Sequence, residues 1–111
     1  MEKTNSKEIR SMVTNDGNIE LSIKTSEIPT PLADEVIIKV EAAPINPSDL
    51  GLLLSFAADI SSISTTGSGD EAKTTIKIHP ALIGAMKPRL DQSMQVGNEG
   101  AGVVIDAGEN V

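Results

Sequence analysis

Three groups of residues in this chain are of types that can do chemistry. They are the run Asn46-Pro47-Ser48-Asp49, the glycine-rich run Gly97-Asn98-Glu99-Gly100-Ala101-Gly102, and His79, the single histidine. Asn46 brings a side-chain amide and Asp49 a carboxylate, but residue type and spacing alone assign them no substrate. The same residues also describe the start of a helix. Asn46 suits the N-cap, Pro47 the first turn, and Ser48 and Asp49 the positions where acceptors and negative charge are favoured. That capping role is enough to explain them without any further function.

The glycine run raises a sharper alternative, between a phosphate-cradling loop and a backbone turn. A dinucleotide fingerprint needs a strand, then G-x-G-x-x-G, then a helix. Gly100-Ala101-Gly102 supplies G-x-G, but Ile105 occupies the third glycine position. The β-branched residues Val103, Val104 and Ile105 favour a strand after the glycines. The run therefore reads as a turn leading into a strand. Glu99, among these glycines, is either an exposed carboxylate on the turn or a buried one paired with a cation near an active site. His79 has no cysteine and no second histidine to join it in a metal site, so it reads as structural or solvent-exposed. Asp70-Glu71 reads as solvated surface.

The elements that position these residues are mostly short strands. Ile9 starts a first strand, and Ile19, Leu21 and Ile23 alternate with polar residues in a second. Asp16-Gly17 between them is a hairpin-turn dipeptide. Pro29 and Pro31 make "SEIPTPLAD" a connector without ladder donors. In "DEVIIKVEAA", Val36, Ile38 and Val40 point one way and Ile37, Lys39 and Glu41 the other. A short helix follows from Pro47. The Ser-, Thr- and Gly-rich stretch from Ser55 to Thr75 reads as a long surface loop or insertion. "TTIKIHP" is a short strand, residues 80–86 make helical turns that end at Pro88, and "GVVIDAG" is the closing strand. The expected fold is mainly β with short helices, arranged as a small or partial β-barrel. A doubly wound parallel sheet is disfavoured, because strands do not alternate with long helices.

Composition narrows the partners. The chain has 111 residues, enough for one domain, and Phe56 is its only aromatic residue, so the core must be aliphatic. The formal charge of −7 and the lack of a Lys/Arg cluster argue against nucleic acid. The absence of cysteine excludes disulfides and thiolate metal sites. "MEKTNSKEIR" lacks the apolar run of a signal peptide, and no window approaches ~18 consecutive apolar residues. The expectation is a cytoplasmic protein with no membrane segment.

Two stretches together carry a resemblance. "DEVIIKVEAAPINPSDLGLL" resembles the medium-chain dehydrogenase/reductase superfamily where a strand runs into the first active-site helix. "VGNEGAGVVIDAGENV" is similar to that family's G-[HNS]-E-x-x-G-x-V segment, and the order of the two agrees. The resemblance implies the N-terminal part, residues 1–111, of a GroES-like catalytic domain resembling that of alcohol dehydrogenases. In the family a Rossmann domain binding NAD(P) follows, and the nicotinamide lies between the two domains. The zinc-dependent branch carries Cys where this chain has Asn46 and His where it has Asn98, so no catalytic zinc is expected. "PINPSDL" resembles the zinc-independent, quinone-oxidoreductase-like branch.

That branch implies hydride transfer from NADPH to a quinone or an enone, with the substrate carbonyl polarised by hydrogen-bond donors. On the resemblance, Asn46 contacts substrate or lies beside the nicotinamide, and Asp49 orients its neighbours. Members often carry a tyrosine near this helix; this chain has none, which leaves the proton donor unassigned. The cofactor domain is expected to be absent from this polypeptide, and no turnover is expected from it alone. A rival expectation is a non-catalytic GroES-like assembly module that pairs through open strand edges with itself, as a homodimer, or with a cofactor-binding chain. A GroES-type co-chaperonin fits less well, because it has no use for "NPSDL" or "GNEGAG".

Overall fold

A computed structural model describes residues 5–111. The fold is mainly β with short helices, as expected. Strands β1 (Asn5–Val13) and β2 (Asn18–Glu27) form the first antiparallel hairpin. Its turn lies at Asp16-Gly17: Thr14 N–H donates to Asn18 O at 2.8 Å, and Gly17 has a φ of +86°. β1 begins at Asn5, ahead of the expected Ile9. The extra residues, Asn5 to Glu8, are all polar and carry no hydrophobic period that would mark a strand.

Five strands make one sheet, in the order β4 (Ser64–Thr66), β5 (Lys73–Lys77), β2, β1 and β6 (Met94–Gln95). Ile19 pairs with Val13 on one side and Ile76 on the other, and all three are buried. This row is the centre of the core. Ala57, Ile78 and Met86 complete it, with Leu21, Leu54, Ala58 and Leu82 packed around them. The core is aliphatic, as the composition requires.

The stretch read as a surface loop, Ser55 to Thr75, is built into this sheet. Ala57 is fully buried, Ala58 bridges to Ile78, and β4 pairs with β5. Short 3₁₀ turns cover Ile60–Ser62 and Gly69–Glu71. The polar side chains that look like loop signals close the backbone locally. Asp59 accepts from Ser61 N–H at 3.2 Å, and Ser62 Oγ accepts from Lys77 N–H at 2.8 Å. A longer 3₁₀ helix, Pro80–Arg89, passes the expected stop at Pro88. Its closing bond is Leu90 N–H to Lys87 O, which makes no use of the N–H that proline lacks.

β3 (Val36–Ala42) and β7 (Ala101–Ala107) pair with each other in a separate two-stranded ribbon. The sheets do not close into a barrel, consistent with the partial one expected: among the described residues no ladder joins the ribbon to the five-stranded sheet. The molecule is correspondingly long, 53 × 26 × 23 Å. Most apolar residues of the ribbon stay exposed, Val40 at 60%, and Ile37 is half-buried. The alternation in β3 identifies two faces but not what covers either.

Helix α1 (Pro47–Leu53) follows β3. Its last carbonyls are held from outside the helix. Arg89 donates to Gly51 O at 3.2 Å and to Ser11 Oγ at 3.1 Å, and the Ser11 hydroxyl donates to Leu52 O. Ser11 is completely buried, so α1 is tied to the face of β1. Among the described residues no helix is long and apolar enough to cross a membrane.

Candidate functional site

Asn46 is the N-cap of α1, in extended backbone geometry, and Pro47 opens the helix. The Asn46 N–H donates to Asp49 Oδ2 at 2.8 Å, and the Asp49 N–H donates to Asn46 O at 2.9 Å. Asp49 is 6% exposed, with its carboxylate turned back onto the helix start. The bond it makes fixes the backbone of Asn46. Ser48 is exposed.

The glycine run enters from β6. Val96 N–H donates to Ile9 O at 3.2 Å, and Gly97 then turns the chain with a φ of +94°, where side chains are disfavoured. At Gly102 the reason for glycine is contact: a Cβ there would lie 1.9 Å from Lys39 O. That close approach seats the start of β7 against β3. The glycines lead into a strand rather than a helix, and so lack the helix N-terminus that would complete a phosphate cradle.

The two runs meet. Asn46 Nδ2 donates to Glu99 Oε2 at 3.2 Å, across 53 residues of chain. Glu99 is exposed and its partner is an amide, which settles the earlier alternative against a buried carboxylate paired with a cation. An open cleft of about 790 Å³ lies beside this contact, walled by Ala42, Ala43, Pro44, Asn98, Glu99, Gly100 and Ala101. Most of the wall is small and apolar, and among the described residues Glu99 is its single ionisable group. A carboxylate only accepts hydrogen bonds, so the Asn46 amide must present its nitrogen to Glu99. That nitrogen keeps a second N–H, a donor of the kind a substrate carbonyl needs.

No protein-family model matches the chain. No curated protein matches it significantly either.

The remaining candidates lie elsewhere. His79 is exposed, and its backbone N–H donates to Ala57 O at 2.8 Å. Its positive form helps hold the Asp59 carboxyl below the usual range, after the larger effect of the Ser61 hydroxyl. Asp70 pairs with Lys7 at 3.0 Å on the surface. Among the described residues no three His, Asp or Glu side chains gather as a metal site.

Ser11 and Arg89, which hold the far end of α1, were not singled out by motif. Ser11 did leave a signal, as a lone polar residue at an inward position between Ile9 and Val13. Arg89 left none. Burial lowers its pKa, and among the described residues its Nε has no hydrogen-bond partner.

Proposed function

We propose that residues 1–111 form the substrate-domain part of a zinc-independent, GroES-like oxidoreductase of the medium-chain dehydrogenase/reductase kind. The reaction passes a hydride from NADPH to a quinone or an enone, and its proposed setting is the cytoplasm. The observation that carries this is the Asn46–Glu99 hydrogen bond at 3.2 Å. It joins the two stretches on which the family resemblance rests, at the edge of a cleft with small apolar walls.

In this reading the cleft accepts the flat, apolar body of the substrate. Asn46 donates its free N–H to the carbonyl oxygen, where negative charge grows as hydride arrives. Asp49 holds the helix start that carries Asn46, at 2.8 Å from its N–H. NADPH supplies the hydride when bound. The glycines here do not fit its diphosphate, because β7 and not a helix follows them. Asn46 is the one residue assigned to the nicotinamide side. The polypeptide of residues 1–111 is accordingly expected not to oxidise NADPH. The test of the site itself is whether a neutral enone binds beside Asn46, followed by NMR.

A second reading is an assembly module that pairs with a second copy or with a cofactor-binding chain. It is favoured by the β3–β7 ribbon, which leaves Val36, Ile38, Val40 and Val104 exposed. A two-stranded ribbon is marginal in water without a partner. Sedimentation decides it: a stable dimer supports the module, and a monomer at all concentrations removes self-pairing.

A further inference from the structure

Glu99 does two things at once. It accepts the Asn46 amide N–H, and it forms part of the cleft wall. Among the described residues the rest of that wall, Ala42, Ala43, Pro44, Asn98, Gly100 and Ala101, brings no cation to balance it. We propose that Glu99 is a specificity-determining residue that restricts the cleft to neutral carbonyl compounds, a proposal that rests on the oxidoreductase reading above.

Two physical effects act together. First, an acceptor-only carboxylate admits one orientation of the Asn46 amide, nitrogen inward to Glu99, so the amide offers the ligand an N–H. A glutamine at this position could donate as well as accept, and the Asn46 amide would no longer be held one way. Second, the Glu99 charge stands on the cleft wall, and an anionic ligand seated there meets like charge without a compensating partner. Like-charge juxtaposition is a common basis for rejecting wrong partners. A positive ligand would gain from the same charge, but the small apolar walls supply no aromatic face to hold a cation. The favoured ligand is a neutral, flat carbonyl compound.

The experiment uses the protein of residues 1–111, labelled with ¹⁵N, at neutral pH. The probes are 2-cyclohexen-1-one and its anionic analogue 3-oxocyclohex-1-ene-1-carboxylate. The signal is the Asn46 side-chain NH₂ pair. The neutral probe is expected to bind at least about 10-fold more tightly than the anion, a gap of the size one unfavourable charge contact gives. Glu99→Gln should narrow the gap to about threefold or less and move the free-state Asn46 NH₂ signals. Glu99→Asp keeps the charge and should keep the discrimination. Equal binding of the two probes by the native protein overturns the proposal, as does a Glu99→Gln variant that retains the full gap; in both cases the oxidoreductase reading stands. If neither probe binds, that reading and this proposal fall together.

Discussion

The Asn46 amide donates to the Glu99 carboxylate across 3.2 Å, although the two residues are 53 apart in the chain. One stands at the start of α1 and the other on the turn before β7. Their contact turns two separate sequence runs into one site. It depends on α1 and β7 being held in place, and each support can be removed separately.

The first support is Asp49. Its buried carboxylate takes the Asn46 N–H at 2.8 Å. Asp49→Ala should lower stability by about 0.5–2 kcal/mol, the usual cost of losing such a helix-start bond. Thermal unfolding measures the loss. The Asn46 side-chain NMR signals should shift in the same variant, because the residue that bonds Glu99 loses its anchor.

The second support is Ser11, buried between β1 and the end of α1. It donates to Leu52 O and accepts from Arg89 at 3.1 Å. Ser11→Ala leaves both partners short of a bond and should cost about 1–3 kcal/mol. Chemical denaturation gives the number. Unchanged stability would mean that solvent reaches these groups and that the tie is dispensable.

Gly102 supports the other side. A Cβ there would sit 1.9 Å from Lys39 O, so Gly102→Ala must separate β7 from β3. Among the described residues the ribbon shares no ladder with the five-stranded sheet. Hydrogen exchange should therefore speed up in residues 36–42 and 101–107 while β1, β2 and β5 stay protected. Uniform loss of protection would show that the ribbon and the sheet unfold as one unit.

Acid should weaken the fold through two turn carboxylates. The Thr14 hydroxyl, and after it the Asn18 side chain, hold the Asp16 carboxyl below its usual value. The Ser61 hydroxyl does the same for Asp59, with help from the Ser61 N–H and the charges of His79 and Lys77. A depressed pKa in the folded state contributes stability above the unfolded value of about 3.9, and that stability is lost as pH falls through the folded value. The melting temperature should drop below about pH 4. The double variant Asp16→Asn, Asp59→Asn should show a shallower drop; an identical acid slope would assign the effect to other groups.

Much of this frame is legible from residue types. Asp16-Gly17 marks its hairpin, Pro47 its helix, and Val103 to Ile105 the strand after the glycines, because each rests on local backbone preference. β4 is hidden because its residues, Ser64 to Thr66, have no apolar period and pair only through β5. The separation of the ribbon is hidden for a different reason. Val36, Ile38 and Val40 alternate correctly for a strand with one buried face, and alternation carries no information on whether a partner is present. Asn46 and Glu99 could each be named from the sequence, but not their contact, which depends on the path of the whole chain between them. Arg89 was invisible because its bonds go to a hydroxyl and a carbonyl in distant elements.

The most direct test of the central claim is a ¹⁵N NMR titration of the native protein and its Asn46→Ala variant with 2-cyclohexen-1-one. The predicted result is a saturable shift of the Asn46 side-chain NH₂ and of residues 98–101 at millimolar probe, with the shifts at 98–101 lost in the variant. No shift at the site, or equal binding by Asn46→Ala, would contradict the assignment of Asn46 as the carbonyl donor.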